Sequence, residues 1–387
     1  MTTGTVYFEN KAPEEIEACL GEWRRCCPSM GVLALVAESD RETMVPLLQD
    51  VCRRMKVPLC GAVFPALIVD ARFRTTGCLL LRFDVMPYAA LYDSLSPLHP
   101  EYDHTIRRMS DDVVSRLDRP RSGTLCMIFD SMIPTIATIL DEIYLKLADR
   151  VRYMGANAGS ETFQPMPCLF DNNRQVSNGA LFMLLPDHPG AVTEHCYQAP
   201  EQVLSATSTE GNRIISIDWR PAFEVYQEVV KAQYNVTINR ENFYQLAVHF
   251  PFGIMRANNE IIVRMPVALE EDGSVFCVGE VPPNALLTLL QAPAVDSLQT
   301  VEKLAHGLRD LGGTLAGGSI LSFYCAGRRI HLGERAECEL TEIQQATGAM
   351  QVAGALSLGE IGHSMQGGYP SFHNGAIVCC TWDRHES

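Results

Sequence analysis

Three stretches of the chain, residues 31–84, 123–186 and 318–383, repeat one order of predicted elements. Each begins with an apolar run of strand length and continues with a segment whose apolar residues recur at helical spacing. Two further apolar runs, separated by a loop, complete it. Such βαββ units have apolar faces that must be buried against neighbouring elements. The repeat therefore predicts a mixed α/β fold in which repeated βαββ units form sheets layered with helices.

Glycine positions recur together with the predicted elements. The second strand of each repeat contains a Gly-Ala pair and the last strand follows a glycine, which gives Gly61-Ala62, Gly155-Ala156 and Gly354-Ala355, then Gly77, Gly179 and Gly375. Glu161 and Glu360 follow the Gly-Ala pair at the same offset in the second and third repeats. Glycine lets backbones approach closely and exposes N–H groups to a ligand. The alternative, that three ordinary βαββ units look alike, predicts the same architecture.

The starts of the first two repeat helices are predicted from their polar residues and prolines. Thr43 is expected to cap a helix at 44–55, with Pro46 in its first turn. Ser131 is expected to cap the second repeat helix, with Pro134 in its first turn. Residues 87–110, which contain three prolines, are predicted to form an irregular insertion.

The region between the second and third repeats differs from them. Its pattern predicts helices at 221–234 and 298–311 and strands at 214–217, 247–254, 260–266 and 274–278. A chain of 387 residues is long enough for two domains or two fused halves. We place the two halves at 28–220 and 221–383, with the second beginning near Pro221.

The amino-acid composition and the sequence patterns indicate which binding partners and which cellular location to expect for the protein. Hydrophobic residues make up 47% of the chain and charged residues 20%, which is typical of globular proteins. The formal net charge of −15 disfavours contact with phosphate backbones, so we expect no nucleic-acid partner. The sequence shows neither a signal-peptide pattern at its start nor an uninterrupted apolar span, and we expect a cytoplasmic protein without a membrane contact. Several of the fourteen cysteines lie in apolar runs and none forms Cys-x-x-Cys, which indicates reduced thiols and no zinc site of the usual spacing.

The sequence contains none of the common catalytic motifs. A Gly-x-Ser-x-Gly elbow, a P-loop, Gly-x-Gly-x-x-Gly and His-Glu-x-x-His are all missing, and we predict that the protein is not an enzyme. The alternative is an uncharacterised thiol-dependent enzyme, because Cys26 and Cys27 follow Arg24 and Arg25, whose charges favour a thiolate. The simpler interpretation of these residues is one face of an N-terminal helix.

Residues 353–378 resemble the C-terminal half of FIST proteins. In that family a Gly-(Phe/Ala)-x-Ser-x-Gly-Glu-Ile-Gly segment precedes a loop and a His-Asn pair, which correspond here to Gly354, Ser357, Gly359, Glu360, Ile361, Gly362, His373 and Asn374. The segments 153–161, 192–200 and 214–230 are similar to the N-terminal half and to the join between the halves. The first repeat departs from the pattern at 61–66, so the resemblance leaves its part in the pocket undecided.

The resemblance implies an intracellular sensory module for a small ligand that signals in trans, to a partner such as a histidine kinase or a cyclic-di-GMP enzyme. It places ligand-binding residues at the two glycine-rich junctions, namely Gly155, Ser160, Glu161, Gly354, Ser357, Gly359, Glu360, His373 and Asn374. The glutamates are expected to pair with a ligand amine and the serines to donate hydrogen bonds. A homodimer and a purely structural scaffold stay open as alternatives.

A haem-dependent nitric oxide sensor is a further alternative within the same family, because some stand-alone members bind haem. Haem b is then the candidate cofactor, and it needs a neutral imidazole or a thiolate beside an apolar cavity. His195 is the leading candidate for the iron ligand because it lies in a family-like stretch, followed by His249 and His373.

Overall fold

The fold is taken from a computed structural model, which describes residues 4–9, 12–117, 123–256, 260–312, 315, 317–363 and 368–383. The α-helices in these ranges are α1 (Pro13–Cys26), α2 (Arg41–Met55), α3 (Tyr102–Val114), α4 (Ile136–Leu147), α5 (Ala222–Tyr234), α6 (Phe243–Ala247), α7 (Gln299–Gly312), α8 (Ala326–Leu332) and α9 (Arg335–Thr347).

The strands form three large sheets and two small ones. In chain order they are β1 (Thr5–Phe8), β2 (Gly31–Ala37), β3 (Leu59–Phe64), β4 (Leu67–Val69), β5 (Arg72–Arg74), β6 (Cys78–Phe83), β7 (Tyr88–Tyr92), β8 (Gly123–Asp130), β9 (Arg152–Ala158), β10 (Leu169–Asp171), β11 (Gln175–Val176), β12 (Ala180–Pro186), β13 (Val192–Glu194), β14 (Leu204–Ser205), β15 (Ser208–Glu210), β16 (Arg213–Ile217), β17 (Arg220–Pro221), β18 (Phe252–Met255), β19 (Ile261–Arg264), β20 (Pro266–Leu269), β21 (Val275–Cys277), β22 (Leu286–Leu289), β23 (Ser319–Cys325), β24 (Gln351–Ser357), β25 (Glu360–Gly362), β26 (Ser371–His373) and β27 (Ile377–Asp383).

The three large sheets share one plan, which confirms the mixed α/β class and defines three modules. Module 1 contributes β1-β6-β2-β3, module 2 contributes β7-β12-β8-β9, and module 3 contributes β13-β27-β23-β24. In each module the first and second repeat strands are parallel and the last strand is antiparallel to the first. The repeat helices α2, α4 and α9 pack beside α1, α3 and α7. The module is therefore longer than the predicted βαββ unit by an edge strand and a helix.

Each large sheet is completed by a hairpin from another module. Hairpin β10-β11 of module 2 joins β3 of module 1, and β25-β26 of module 3 joins β9 of module 2. Hairpin β4-β5 of module 1 joins β24 of module 3, which closes the cycle. Each module therefore covers the β3, β9 or β24 edge of a neighbour's sheet with its own hairpin.

The Gly-Ala pairs lie where these exchanged hairpins join. A Cβ atom on Gly155 would lie 2.0 Å from the carbonyl oxygen of Met127, and one on Gly354 would lie 1.8 Å from that of Ser322. The residues opposite the three glycines in the exchanged hairpins are Phe170 for Gly61, Ile361 for Gly155 and Ile68 for Gly354. The repeated glycine is thus required by the close approach of three backbones.

Module 3 is interrupted by an inserted unit, residues 204–289, which lies between β13 and α7. The unit consists of the small sheets β14-β22-β18-β19 and β15-β16-β21-β20 with α5 and α6. Its apolar side chains form a core of their own that includes Ile214, Tyr226 and Phe252. The division that we placed at residues 220 and 221 falls within the β16-β17 hairpin of this unit.

Three local predictions are wrong. Thr43 lies inside α2, which begins at Arg41, and its hydroxyl donates to the Asp40 carbonyl, so Pro46 is beyond the first turn. Residues 87–110 are not irregular, because β7 and the start of α3 lie there and begin module 2. The predicted strand 247–254 begins only at Phe252, since α6 ends at Ala247.

The second repeat helix also starts later than predicted. Ser131 does not cap it, and Pro134 precedes it, because α4 begins at Ile136. The buried Asp130 carboxylate accepts the N–H groups of Met132 and Asn178 and holds this segment in a turn. Within the described ranges, no helix combines the length and the apolar character that crossing a membrane requires.

We expect Gly155→Ala to lower the free energy of unfolding by about 1–3 kcal/mol or more, because the new methyl group overlaps a backbone oxygen that cannot move without distorting β8. Urea unfolding followed by circular dichroism measures this. The matched control is Gly21→Ala in α1, where a Cβ meets only a methionine methyl group at 3.9 Å. That change should stabilise by up to about 1 kcal/mol; equal effects of the two changes would contradict the packing argument.

Candidate functional site

A cavity of about 360 Å³ lies where the inserted unit meets module 3 and the loop after β9. Its wall is mostly apolar and includes Val248, Met265, Val267, Ile330 and Leu358. The polar residues in the wall are Glu161, Tyr244, Gln245, His249, Cys325 and Asn374. A concave, mainly apolar space with a few polar groups is the usual form of a small-molecule site.

Cys325 ends β23 and is one of the residues that line the cavity. The Sγ atom accepts the N–H of Gly375 at 3.0 Å. The thiol also interacts with the carboxyl group of Glu360. Glu360 also accepts the Ser357 hydroxyl at 2.5 Å and the Ala376 N–H at 3.3 Å. These contacts connect the cavity to a buried carboxyl group behind it.

Glu360 is completely enclosed and does not line the cavity. Burial raises the pKa of its carboxyl group to about 8, against an ordinary value of 4.5. Burial and the adjacent Glu360 likewise raise the pKa of the Cys325 thiol. At neutral pH the two groups hold a proton each and form a neutral pair.

Glu161 lies at the mouth of the cavity. It does not occupy a position equivalent to that of Glu360, although both follow a Gly-Ala pair at the same offset in the sequence. The register of the exchanged hairpins instead makes Leu67 and Leu169 the counterparts of Glu360 in modules 1 and 2. Burial raises the pKa of Glu161, while Arg329, whose Nη1 is 3.7 Å from its Oε1, opposes that shift. Glu161 and Ile330 also line an adjoining groove of about 780 Å³.

His249 lines the cavity and forms a relay with His331. The Nδ1 atoms of the two rings are 2.7 Å apart, and Nε2 of His331 is 3.0 Å from the carbonyl oxygen of Pro293. A carbonyl only accepts, so His331 is protonated at Nε2 and His249 donates from Nδ1. Burial lowers the pKa of both rings and keeps them neutral. The Nε2 lone pair of His249 is then left for a ligand.

His195 and His373 lie beside each other, with ring centroids 6.0 Å apart, but neither lines the cavity. His195 uses both ring nitrogens, since Nδ1 accepts the Tyr197 N–H at 3.0 Å and Nε2 contacts the Ile261 carbonyl at 3.2 Å. Burial lowers the pKa of His195 to about 4. His373 is enclosed, and its ring nitrogens make no hydrogen bond within the described chain.

Of the other predicted site residues, one lines the cavity and the rest do not. Asn374 lines the cavity and fixes it to the inserted unit, because its Oδ1 accepts the Met265 N–H at 2.9 Å. Ser160 is buried and contacts Thr162, and it does not line the cavity. Gly155, Gly354 and Gly359 position the strands and bends, and none of them lies in the wall.

Arg328 is the buried support of this region and was not predicted from the sequence. It is 1% exposed, forms two bonds to the Glu339 carboxylate, and donates to the carbonyl oxygen of His195 at 2.9 Å. Thr300 of α7 accepts a further bond at 2.8 Å. Cys325 and His331 were also missed. The Arg328-Arg329 pair was the available signal, but its spacing says nothing about burial.

The family comparison can now be set beside this geometry. Residues 31–220 match the FIST N domain and residues 222–363 match the FIST C domain. The chain belongs to the FIST family. FIST domains are sensory domains for small ligands, and the cavity lies between parts of the chain that both matches cover. A search among curated proteins gives no match to this FIST protein.

Ionisation of Glu360 gives a pH-dependent contribution to stability. The unfolded carboxyl group loses its proton near pH 4.5, whereas the folded one keeps it to about pH 8. The raised folded pKa therefore lowers the free energy of unfolding between those values, by at most about 1.4 kcal/mol per pH unit. We expect the free energy of unfolding of the wild type, measured in urea from pH 5 to 8, to fall relative to that of Glu360→Gln, since the buried histidines contribute equally to both proteins. Parallel pH curves for the two proteins would contradict the buried ionisation.

Proposed function

We propose that this FIST protein binds a small, largely apolar molecule in the 360 Å³ cavity and passes the binding signal to a separate protein. The supporting observation is that the mostly apolar wall also contains His249, Cys325 and Asn374. Hydrogen bonds to neighbouring residues hold these three polar residues in place. A ligand gains free energy from the apolar wall and orientation from those groups.

Ligand binding can change the protein surface by altering how the inserted unit is arranged relative to module 3. The cavity wall is shared by the inserted unit and module 3, which Asn374 and Arg264 connect through hydrogen bonds to Met265 and Phe372. A ligand that contacts both parts favours whichever relative arrangement fits it best. The proposed recipient, in keeping with the family resemblance, is a histidine kinase or a cyclic-di-GMP enzyme.

Blocking the cavity should remove ligand binding without unfolding the protein. Ile330 lines the cavity and is 55% exposed, so Ile330→Trp fills the mouth at little cost in stability. We expect this change to weaken binding of the apolar fluorophore anilinonaphthalene sulfonate by about tenfold or more, which corresponds to about 1.4 kcal/mol. Fluorescence titration measures it.

The matched control for this titration is Leu145→Trp on α4. Leu145 is 77% exposed and does not line the cavity, so the same enlargement should leave the affinity unchanged. Equal affinities for the wild type and Ile330→Trp would contradict the location of the site. Signalling is tested separately, by the turnover of a purified kinase or cyclic-di-GMP enzyme with and without the chain.

A haem-dependent sensor is the second candidate, and the relay of His249 is the observation that favours it. Iron-bound histidines commonly donate their second ring N–H to a fixed acceptor, which here is His331. His249 Nε2 would hold the iron, and the apolar wall would contact part of the macrocycle. Bound haem would supply an iron site for a diatomic gas.

Hemin titration distinguishes this candidate by its absorption band at the violet edge. We expect His249→Ala to abolish the band and His331→Ala to weaken hemin affinity by about 10- to 100-fold. His195→Ala serves as the control, because His195 lies outside the wall and should leave the band unchanged. Loss of the band in His195→Ala alone would return the ligand role to His195 and contradict the geometry.

A further inference from the structure

We infer that Cys325 is a nucleophile that forms a reversible covalent bond with a ligand bearing an electrophilic carbon, with Glu360 as the acceptor of the thiol proton. The inference rests on the proposed cavity as the ligand site and adds the chemical class of the ligand. It also moves the thiol alternative from Cys26 and Cys27 to a different cysteine.

Position separates Cys325 from the other cysteines. Cys325 is in the wall of the cavity, whereas the buried Cys379 only donates to the hydroxyl of Ser322 at 3.5 Å. Cys26 is exposed at the end of α1 and Cys27 contacts Asp84 at 3.3 Å, in both cases outside the cavity. Cys325 thus combines contact with an apolar space and contact with a buried carboxyl group.

The arrangement satisfies the geometric requirements of an activated nucleophile. The thiol interacts with Glu360, which can take its proton once the carboxyl group is ionised, and the Ser357 hydroxyl donates to that group at 2.5 Å. The Gly375 N–H at 3.0 Å from Sγ stabilises negative charge on the sulfur.

A buried hydroxyl group without a hydrogen-bond partner in the described residues lies beside Cys325 and Glu360. Tyr197 is 5% exposed, and its hydroxyl makes no hydrogen bond within the described residues. A Cβ atom on Gly375 would lie 2.9 Å from that oxygen, so the hydroxyl is next to the peptide that donates to Cys325. Buried polar groups without partners are rare in native proteins, and this one lies beside the proposed reacting pair.

An α,β-unsaturated ketone illustrates the balanced step. In the form with Glu360 ionised, the S–H bond of Cys325 breaks, the proton passes to the Glu360 carboxylate, and Sγ forms a bond to the β carbon. The electrons of the C=C bond move toward the carbonyl group, and the proton held by Glu360 is returned to the α carbon. The thiol has then added across the double bond without a leaving group or a redox partner, and the reverse sequence releases the ligand.

The test uses the full chain with cyclohexenone, and with saturated cyclohexanone as the matched compound that cannot accept a thiol at its β carbon. Adducts at individual cysteines are quantified by quenching, digestion and mass spectrometry. We expect Cys325 to react at least about 100-fold faster than Cys379, and Glu360→Gln to remove most of that difference. The exposed Cys26 should react at the same rate in both proteins.

Two outcomes would overturn the inference. One is a rate at Cys325 no greater than that at Cys379 while the cavity still binds anilinonaphthalene sulfonate, which leaves the proposed function intact. The other is a fast rate at Cys325 that Glu360→Gln does not change. If the wild type does not bind anilinonaphthalene sulfonate at all, that result would instead count against the proposed function.

Misfolding of Glu360→Gln is recognised by new labelling at Cys379, and the wild-type pH profile then decides. A carboxylate acceptor predicts a rate that rises tenfold per pH unit and levels near pH 8, whereas an unassisted buried thiol keeps rising. Within the described residues, the titratable groups that face Glu360 include Cys325 from β23, Tyr197 from the segment after β13, and His373 opposite it on β26. Continued rise beyond pH 9 would overturn the inference.

Discussion

The close approach of three backbones at the exchanged hairpins is the constraint on which the rest of the structure depends. Each module donates a hairpin to one neighbour and receives one from the other, so all three sheets are completed together. Glycine is required where β24 passes β23, since any side chain on Gly354 would overlap the Ser322 carbonyl oxygen. The same bends deliver Ser357, Glu360 and Asn374 to one end of module 3.

The inserted unit turns that end of module 3 into a cavity. Without the unit, Cys325 and Asn374 would face open solvent, because α6 and β20 form the opposite wall. On the module 3 side, the buried Arg328 holds α8, which carries Ile330 of the cavity wall, to α9 through Glu339 and to the segment after β13 through the carbonyl oxygen of His195. Removing one partner of such a buried pair costs about 3–5 kcal/mol, so the wall of the site also depends on it.

The periodicity of apolar residues and the spacing of glycines predicted much of the fold, because both are local properties of the sequence. The repeat strands and helices follow apolar periodicity, and β2, β8 and β23 are buried at every position, as continuous apolar runs indicate. The start of module 2 was missed because the prolines of residues 87–110 suggested irregular structure, whereas β7 is stabilised by pairing with β12. Pairing between distant segments leaves no local pattern.

The sequence by itself determined the α/β class, the three repeats, the family and the residues of the glycine-rich junctions, since each of these depends on residue type and spacing. Only the tertiary structure decided which of those residues meet. It separated Glu161 from Glu360, placed His249 rather than His195 in the cavity wall, and joined Cys325 to Glu360. These outcomes depend on the exchange of hairpins and on the insertion, which bring together side chains that are far apart along the chain.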